Sequence, residues 1–315
     1  MQPGSRRYGC RMSRAPSITV PLVGPLDVPR SLAGLGHWGD DLIDRWDGRR
    51  WLRAWRLDGR WVPVRATPMG DPDDPSLEVT AATPDLESAA AGVRFALAGS
   101  AEANAALAEL IEADPAVAAA DRRFHGVRPV LQADPFTALI RTISAQQVNL
   151  RWAAEVRKRL AVDYGEALPI EGEEVRVLDP ERLAGASIDE LRVLQLTRAK
   201  SASVIEVAQA AVDGRLEATE LAKLEDEALI ERLVLLRGIG RWSADWFLAR
   251  TLGRPRVVAG DLGVRKAVGR AYFSGRLPSE AEVRAATVHW GAAAGIAQQL
   301  LLHTLVEDET RARAR

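Results

Sequence analysis

The chain has 315 residues, 47% hydrophobic and 27% charged, and its 42 Lys and Arg against 43 Asp and Glu give a formal net charge of −1. That is an ordinary globular composition for one large or two smaller domains; it excludes a uniformly basic DNA-coating protein, and no apolar run reaches membrane-spanning length. The single cysteine, Cys10, excludes an intrachain disulfide framework and a four-cysteine iron–sulfur cluster, and His37, His125, His289 and His303 lack metal-ligand spacing.

Residues 1–14 carry Arg6, Arg7, Arg11 and Arg14 with no apolar stretch after them. They read as a flexible tail rather than a signal peptide, and the cytoplasm is the expected compartment. Residues 51–57 and 60–66 alternate loosely between apolar and polar, and Asp58-Gly59 between them is a strong hairpin signal. Pro63 places the second of these strands near an edge or a bulge. A third strand is predicted at 76–80, after an Asp- and Pro-rich turn, and a helix at 84–98 with Thr83 as its N-cap and Pro84 in its first turn. Residues 15–100 are thus expected to form a small α+β domain built on an antiparallel sheet. Five of the nine tryptophans, at 38, 46, 51, 55 and 61, fall in it, where packing is the expected role.

From Ser100 onward the pattern predicts only helices and loops. Residues 101–112 are amphipathic. Asp134-Pro135 opens a helix over 135–144 with Phe136, Leu139, Ile140 and Ile143 on one face. Ala145-Gln146-Gln147-Val148-Asn149 then forms a turn before a helix at 150–161. Residues 163–178 read as an acidic loop. Further helices are expected at 180–185, 188–194, 198–212, 226–236, 241–252, 262–270, 279–290 and 293–309. No internal repeat is present.

The segment 233–270 is the most informative. An apolar helical run ends at Leu236, and Arg237-Gly238-Ile239-Gly240 follows, with a second helix from Arg241. Two glycines around one aliphatic residue let a helix stop, turn and restart, and the restart exposes backbone N–H groups suited to a phosphate oxygen. Arg237, Arg241, Arg250, Arg254, Arg256, Arg265, Lys266 and Arg270 surround this turn, against Asp245 and Asp261, which is a local nucleic-acid footprint. Asp261 lies at the start of the next helix and suits an N-cap. A carboxylate there can also face a developing sugar cation. Trp242 and Trp246, four apart, share one helix face, and they are read either as core residues or as the aromatic wall of a base pocket that attracts a cationic base.

The stretch Leu236-Arg237-Gly238-Ile239-Gly240-Arg241-Trp242-Ser243-Ala244, with Gly260-Asp261, resembles the helix-hairpin-helix, Gly/Pro-Asp superfamily of DNA glycosylases, in the branch of DNA-3-methyladenine glycosylase II. The resemblance runs over roughly residues 15–315, although only this block and the Gln146-Gln147 turn are specific. It implies an α+β chain: the small antiparallel sheet domain, then a mostly helical domain over 101–315 with its cleft between two helical halves. It implies a base-excision enzyme that extrudes a damaged base, in the first instance an alkylated purine, from double-stranded DNA and cleaves its glycosidic bond. Asp261 would be catalytic and Trp242 and Trp246 would line the pocket. Gly238, Ile239, Gly240 and Arg241 would grip the backbone, with Gln146 and Gln147 filling the space left by the base. The carbonyls of Val234, Leu236 and Ile239 would hold a structural monovalent cation, with no cofactor in catalysis and no partner but DNA, the protein acting as a monomer.

Relatives that also cut the strand carry a lysine where this chain has Trp242, so a monofunctional enzyme is expected. The branch also implies a further pocket aromatic near His289-Trp290, but Gly291-Ala292-Ala293-Ala294-Gly295 follows instead. Two other readings stand beside this one: a non-catalytic DNA-binding protein that kept the hairpin, and a glycosylase for oxidised or mismatched bases.

Overall fold

A computed structural model describes residues 15–97, 100–132 and 134–313. The expected tail at 1–14, with Cys10, lies outside these. The N-terminal part is a five-stranded antiparallel sheet. In chain order it comprises β1 (Ser17–Pro21), helix α1 (Val28–His37), β2 (Asp44–Trp46), β3 (Trp51–Leu57), β4 (Arg60–Gly70) and β5 (Pro75–Thr80), with strand order β1-β5-β4-β3-β2. The β3–β4 turn is Asp58-Gly59, both at positive φ (48° and 79°), the geometry a two-residue hairpin demands. β4 is central, not an edge, but it pairs with β5 only from Arg65 onward, so Pro63 sits on an overhang where one flank has no ladder partner. Val62, Val64 and Ala66 alternate inward and meet Trp51, Trp55, Leu77 and Val79 in the domain core. Trp51 and Trp55 are therefore packing residues, as their pattern predicts.

After the sheet the expected helix begins later than predicted. Thr83–Asp85 is a 3-10 turn, and α2 (Leu86–Ala96) starts beyond it because the Asp85 carboxylate is drawn to Arg60 on β4 rather than to the helix amides. The chain then runs through α3 (Ala101–Ala113), α4 (Pro115–Arg123), α5 (Pro135–Ala145) and α6 (Leu150–Tyr164). The stretch read as an acidic loop is instead a hairpin, β6 (Gly165–Ile170) and β7 (Glu173–Leu178). Its turn, Glu171-Gly172, again has both residues at positive φ. Leu168, Ile170 and Val175 pack on Leu52 and Ala54 of β3, so the sheet domain supplies the burial that two strands alone cannot.

The remaining helices are α7 (Pro180–Ala184), α8 (Ile188–Val193), α9 (Arg198–Val212), α10 (Ala218–Leu221), α11 (Asp226–Val234), α12 (Arg241–Arg250), α13 (Leu262–Tyr272), α14 (Glu280–Thr287) and α15 (Ala294–Arg313), with a 3-10 turn at Val288–Ala293 before the last. They form two halves with separate cores. One gathers α5, α6, α9 and α11 around Leu139, Ile143, Val207 and Leu233. The other gathers α3, α4, α13 and α15 around Leu107, Val117, Val268, Trp290 and Leu300. α12 belongs to both: Ala244, Phe247 and Leu248 face the first core, while Ala249, Trp242 and Trp246 face the second. The sheet domain is tied to the first half by buried carboxylates. Asp41 accepts bonds from Arg141 of α5 and Arg157 of α6, each at 2.8 Å, and Asp44 accepts from Trp51 Nε1 at 2.6 Å, from Gln132 Nε2 at 3.1 Å and from Arg53.

Candidate active site

The α11–α12 turn is built by one obligate glycine. Gly238 sits at φ 76°, and a Cβ there would collide with the Ser203 hydroxyl of α9 and lie 2.9 Å from its Cβ. Gly240 differs from expectation: its backbone is extended (φ −100°, ψ −177°), and a Cβ would meet nothing within 4 Å. It serves as the N-cap of α12 with no side chain to cap the first turn, so the amides there stay open. Ile239 is the buried plug of the turn, its amide bonded to the Leu236 carbonyl at 3.0 Å.

The other predicted DNA-facing turn is joined to this one. Gln146 Nε2 donates to the Gly238 carbonyl at 2.7 Å. Lys200 of α9 closes the unit from below: its ammonium donates to the carbonyls of Ser144 (3.1 Å) and Gln146 (2.7 Å), satisfying the C-terminal end of α5. Burial lowers the pKa of Lys200. Gln147 at the tip is exposed and held at φ 55°, the left-handed region that a non-glycine side chain rarely adopts. Gln146 is therefore engaged in the protein, and Gln147 is the side chain presented outward.

Asp261 and the two tryptophans meet. Asp261 is the N-cap of α13: its Oδ1 accepts the Val264 amide at 3.0 Å. Its Oδ2 accepts both indole N–H groups, from Trp242 at 2.9 Å and from Trp246 at 3.3 Å. The i, i+4 spacing predicted a shared face; the structure adds that this face holds the carboxylate. Three donors fix its orientation, and Leu262, next in sequence, is exposed beside it.

The basic footprint is thinner than the sequence suggests. Arg241 pairs with Glu227 at 2.9 Å and with Asp245 at 3.3 Å. Arg256 bonds Asp245 at 2.7 Å and Asp226 at 2.9 Å, and Arg254 also bonds Asp226. Glu227 and Asp226 come from the start of α11, ahead of the 233–270 segment. Arg265 donates to the Pro278 carbonyl and Arg270 lies within 4 Å of Asp308 and Glu309, leaving Arg237 and Lys266 among the described residues as exposed cations near the turn and Asp261. Arg250 is a separate case: its guanidinium carbon lies 5.4 Å from the Trp246 ring centroid, and it donates to the Gln299 amide of α15.

Trp290 is a core residue, 2% exposed, whose indole N–H donates to Tyr272 Oη at 3.2 Å, while Tyr272 donates to Asp114 at 2.6 Å. Desolvation and that carboxylate raise the Tyr272 pKa, and the hydroxyl stays protonated as a donor. A cavity of about 350 Å³ lies elsewhere, lined by Trp55, Trp61, Asp134 and Glu217 at the opposite end of α5, and no predicted site residue borders it.

A helix thus restarts at an open glycine cap, and a tryptophan-held carboxylate caps the next helix. The family described as HhH-GPD superfamily base excision DNA repair protein matches residues 140–292 of the chain. It is 29% identical over 184 residues to the DNA-3-methyladenine glycosylase of Bacillus subtilis (strain 168), covering 58% of this chain and 61% of that protein. It is 33% identical over 132 residues to DNA-3-methyladenine glycosylase 2 of Escherichia coli (strain K12), covering 41% and 46%. The matched part thus spans between 46% and 61% of these curated relatives. Among solved structures, the 3-methyladenine DNA-glycosylase from Archaeoglobus fulgidus superposes with a TM-score of 0.79 at 24% identity, covering 93% of this chain and 98% of that one. The Clostridium acetobutylicum 8-oxoguanine glycosylase/lyase, in complex with dsDNA containing cytosine opposite to 8-oxoG, superposes at 0.72 with 17% identity, covering 93% and 96%. At such identities the likeness is one of fold.

Proposed function

We propose that this chain is a monofunctional base-excision repair DNA glycosylase for damaged, alkylated purines in duplex DNA. The observation that carries the reading is the Asp261 carboxylate, held by two indole N–H groups and a helix amide beside an open hairpin cap. The first amides of α12 would take a backbone phosphate, with Arg237 alongside. Gln147 would enter the stack as the nucleotide leaves it, supported by Gln146 and Lys200.

With the base extruded toward Trp242 and Trp246, the bond from C1′ to the base nitrogen breaks heterolytically and the electron pair stays on the base. The sugar becomes oxocarbenium-like, and Asp261 stabilises that charge and positions water for attack at C1′. The water oxygen bonds to C1′ and an abasic site remains; the proton that water loses ends on the base where the base leaves as an anion, and in solvent where a cationic base leaves neutral. Trp242 stands where an amine nucleophile would be needed for strand cleavage, so no Schiff base forms.

A monovalent cation suits the turn. Among the described residues the carbonyls of Val234 and Ile239 accept no backbone hydrogen bond, and with the Leu236 carbonyl they could hold the ion, which would brace the hairpin. The protein would act as a monomer on DNA.

The test is a panel of duplexes, each with one defined lesion, incubated with the protein and then heated in alkali. Alkali-labile breaks at an alkylated purine are expected. Duplex binding with no break at any lesion would instead leave a DNA-binding protein without chemistry, and breaks at oxidised bases alone would reassign the substrate.

A further inference from the structure

Arg250 is the cation of the α12 segment left without a carboxylate. Its neighbours Arg241, Arg254 and Arg256 are all matched by Glu227, Asp226 or Asp245. Among the described residues the Arg250 guanidinium is hydrogen-bonded to the neutral amide of Gln299, and burial lowers its pKa to about 10, which leaves it charged at neutral pH. Among the described residues no carboxylate pairs with it. A guanidinium can only donate, so Gln299 Oε1 accepts from Arg250, and its Nε2 donates to His303 Nδ1 at 3.0 Å. His303 Nδ1 also lies 3.1 Å from the Gln299 backbone carbonyl, and burial lowers the pKa of the ring, with Arg250 adding to the effect. The guanidinium rests over the Trp246 ring, whose indole N–H donates to Asp261. A negative and a positive group therefore sit at two sides of one aromatic ring.

We propose that Arg250 sets the charge selectivity of the base pocket, so that the site takes uncharged damaged bases in preference to cationic ones. The inference rests on the glycosylase reading and reverses the sequence expectation that the tryptophans attract a cationic base, because one of the two rings that hold Asp261 already carries a cation. An uncharged base leaves with the electron pair of the broken bond and gathers negative charge in the transition state while the sugar gathers positive charge. Arg250 then faces the base and Asp261 the sugar, each opposite in sign to what develops. A base with a fixed positive charge leaves neutral: Arg250 repels it on entry and gains nothing as the bond breaks.

The experiment measures single-turnover release from duplexes carrying 1,N6-ethenoadenine or hypoxanthine, both uncharged, and N7-methylguanine, which is cationic, each rate divided by its spontaneous rate. The parent protein is expected to favour the uncharged lesions. Arg250→Met should move the ratio roughly tenfold toward N7-methylguanine, the scale of one charge–charge interaction across several ångströms of protein, while Arg250→Lys should largely keep the parent ratio. Should the Met variant not fold, Arg250→Gln keeps length and polarity, loses the charge and carries the same expectation. A parent preference for N7-methylguanine, or a ratio that the folded uncharged variant moves by less than about twofold, overturns the proposal. Release of no base from any duplex defeats the glycosylase reading instead, whereas release with an unmoved ratio defeats only the role of Arg250.

Discussion

Asp261→Asn is the sharpest single perturbation of the site, and the three donors around Asp261 determine what it does. The carboxylate accepts from Val264 N on one oxygen and from both indoles on the other. Asparagine has one oxygen, so either the helix cap is kept and an NH2 group is turned against two indole N–H groups, or the indoles are kept and the cap is lost. The first costs about 1–3 kcal/mol for unsatisfied donors, the second about 1 kcal/mol for the cap, so a stability loss of roughly 1–2 kcal/mol is expected on either path. The rate should fall much further, by about 10²–10³, because the charge facing the sugar is gone. Thermal denaturation and a single-turnover alkali gel read the two effects separately, with duplex affinity as the control. An Asn variant that releases bases at the parent rate refutes the assignment; one that is inactive only because it has unfolded would show as lost helicity. Replacing both Trp242 and Trp246 by Phe keeps the charge and removes two donors, and should cost less in rate than Asp261→Asn.

Gly238→Ala should destabilise the protein by at least about 1–2 kcal/mol from the left-handed backbone alone and more from the collision with Ser203, whereas Gly240→Ala should fold almost normally; denaturant melts of the two variants that coincide would refute the difference. Borohydride added during turnover should trap no protein–DNA adduct, and product strands should stay intact until heated in alkali, since Trp242 offers no amine. Burial alone would raise the Asp41 pKa, but Arg141 and Arg157 outweigh it and bring it from 3.8 to about 2. A carboxylate depressed in this way contributes stability that is full above its unfolded value and is lost as pH falls through the folded one, here about 2 kcal/mol. Denaturation curves of the parent and Asp41→Asn between pH 5 and pH 2 should therefore converge toward the acid end, and parallel curves would refute the linkage.

Local signals were legible wherever a short stretch decides its own shape. Asp58-Gly59 marks its hairpin, Asp134-Pro135 and Asp261 cap their helices, and the 198–212 helix ends where it was read. The β6–β7 hairpin was missed because its sequence is acidic and carries Pro169, and its stability comes from Leu52 and Ala54, more than a hundred residues earlier. Strands β1 and β2 are short pieces fixed by β5 and β3 rather than by their own pattern. At the site, the pairing of Trp242, Trp246 and Asp261 could be placed from spacing and resemblance. The neutralisation of Arg241, Arg254 and Arg256 could not, since their carboxylates lie on α11. Nor could Lys200, which reaches the Gln146 carbonyl across 54 positions. Arg250 alone left a local trace, one turn after Trp246.

The second helical core draws α3 and α4 from before residue 124 and α13 to α15 from after residue 261. Its two parts are thus separated in the chain by the whole of the first half. During synthesis the first half can close on itself as it emerges, while the apolar faces of α3 and α4 wait for partners not yet made. Asp261 is translated with that late portion, so its bonds to Trp242 and Trp246 are among the last contacts made. A nascent chain can hold a finished hairpin-bearing half well before it owns the carboxylate that the two indoles will grip.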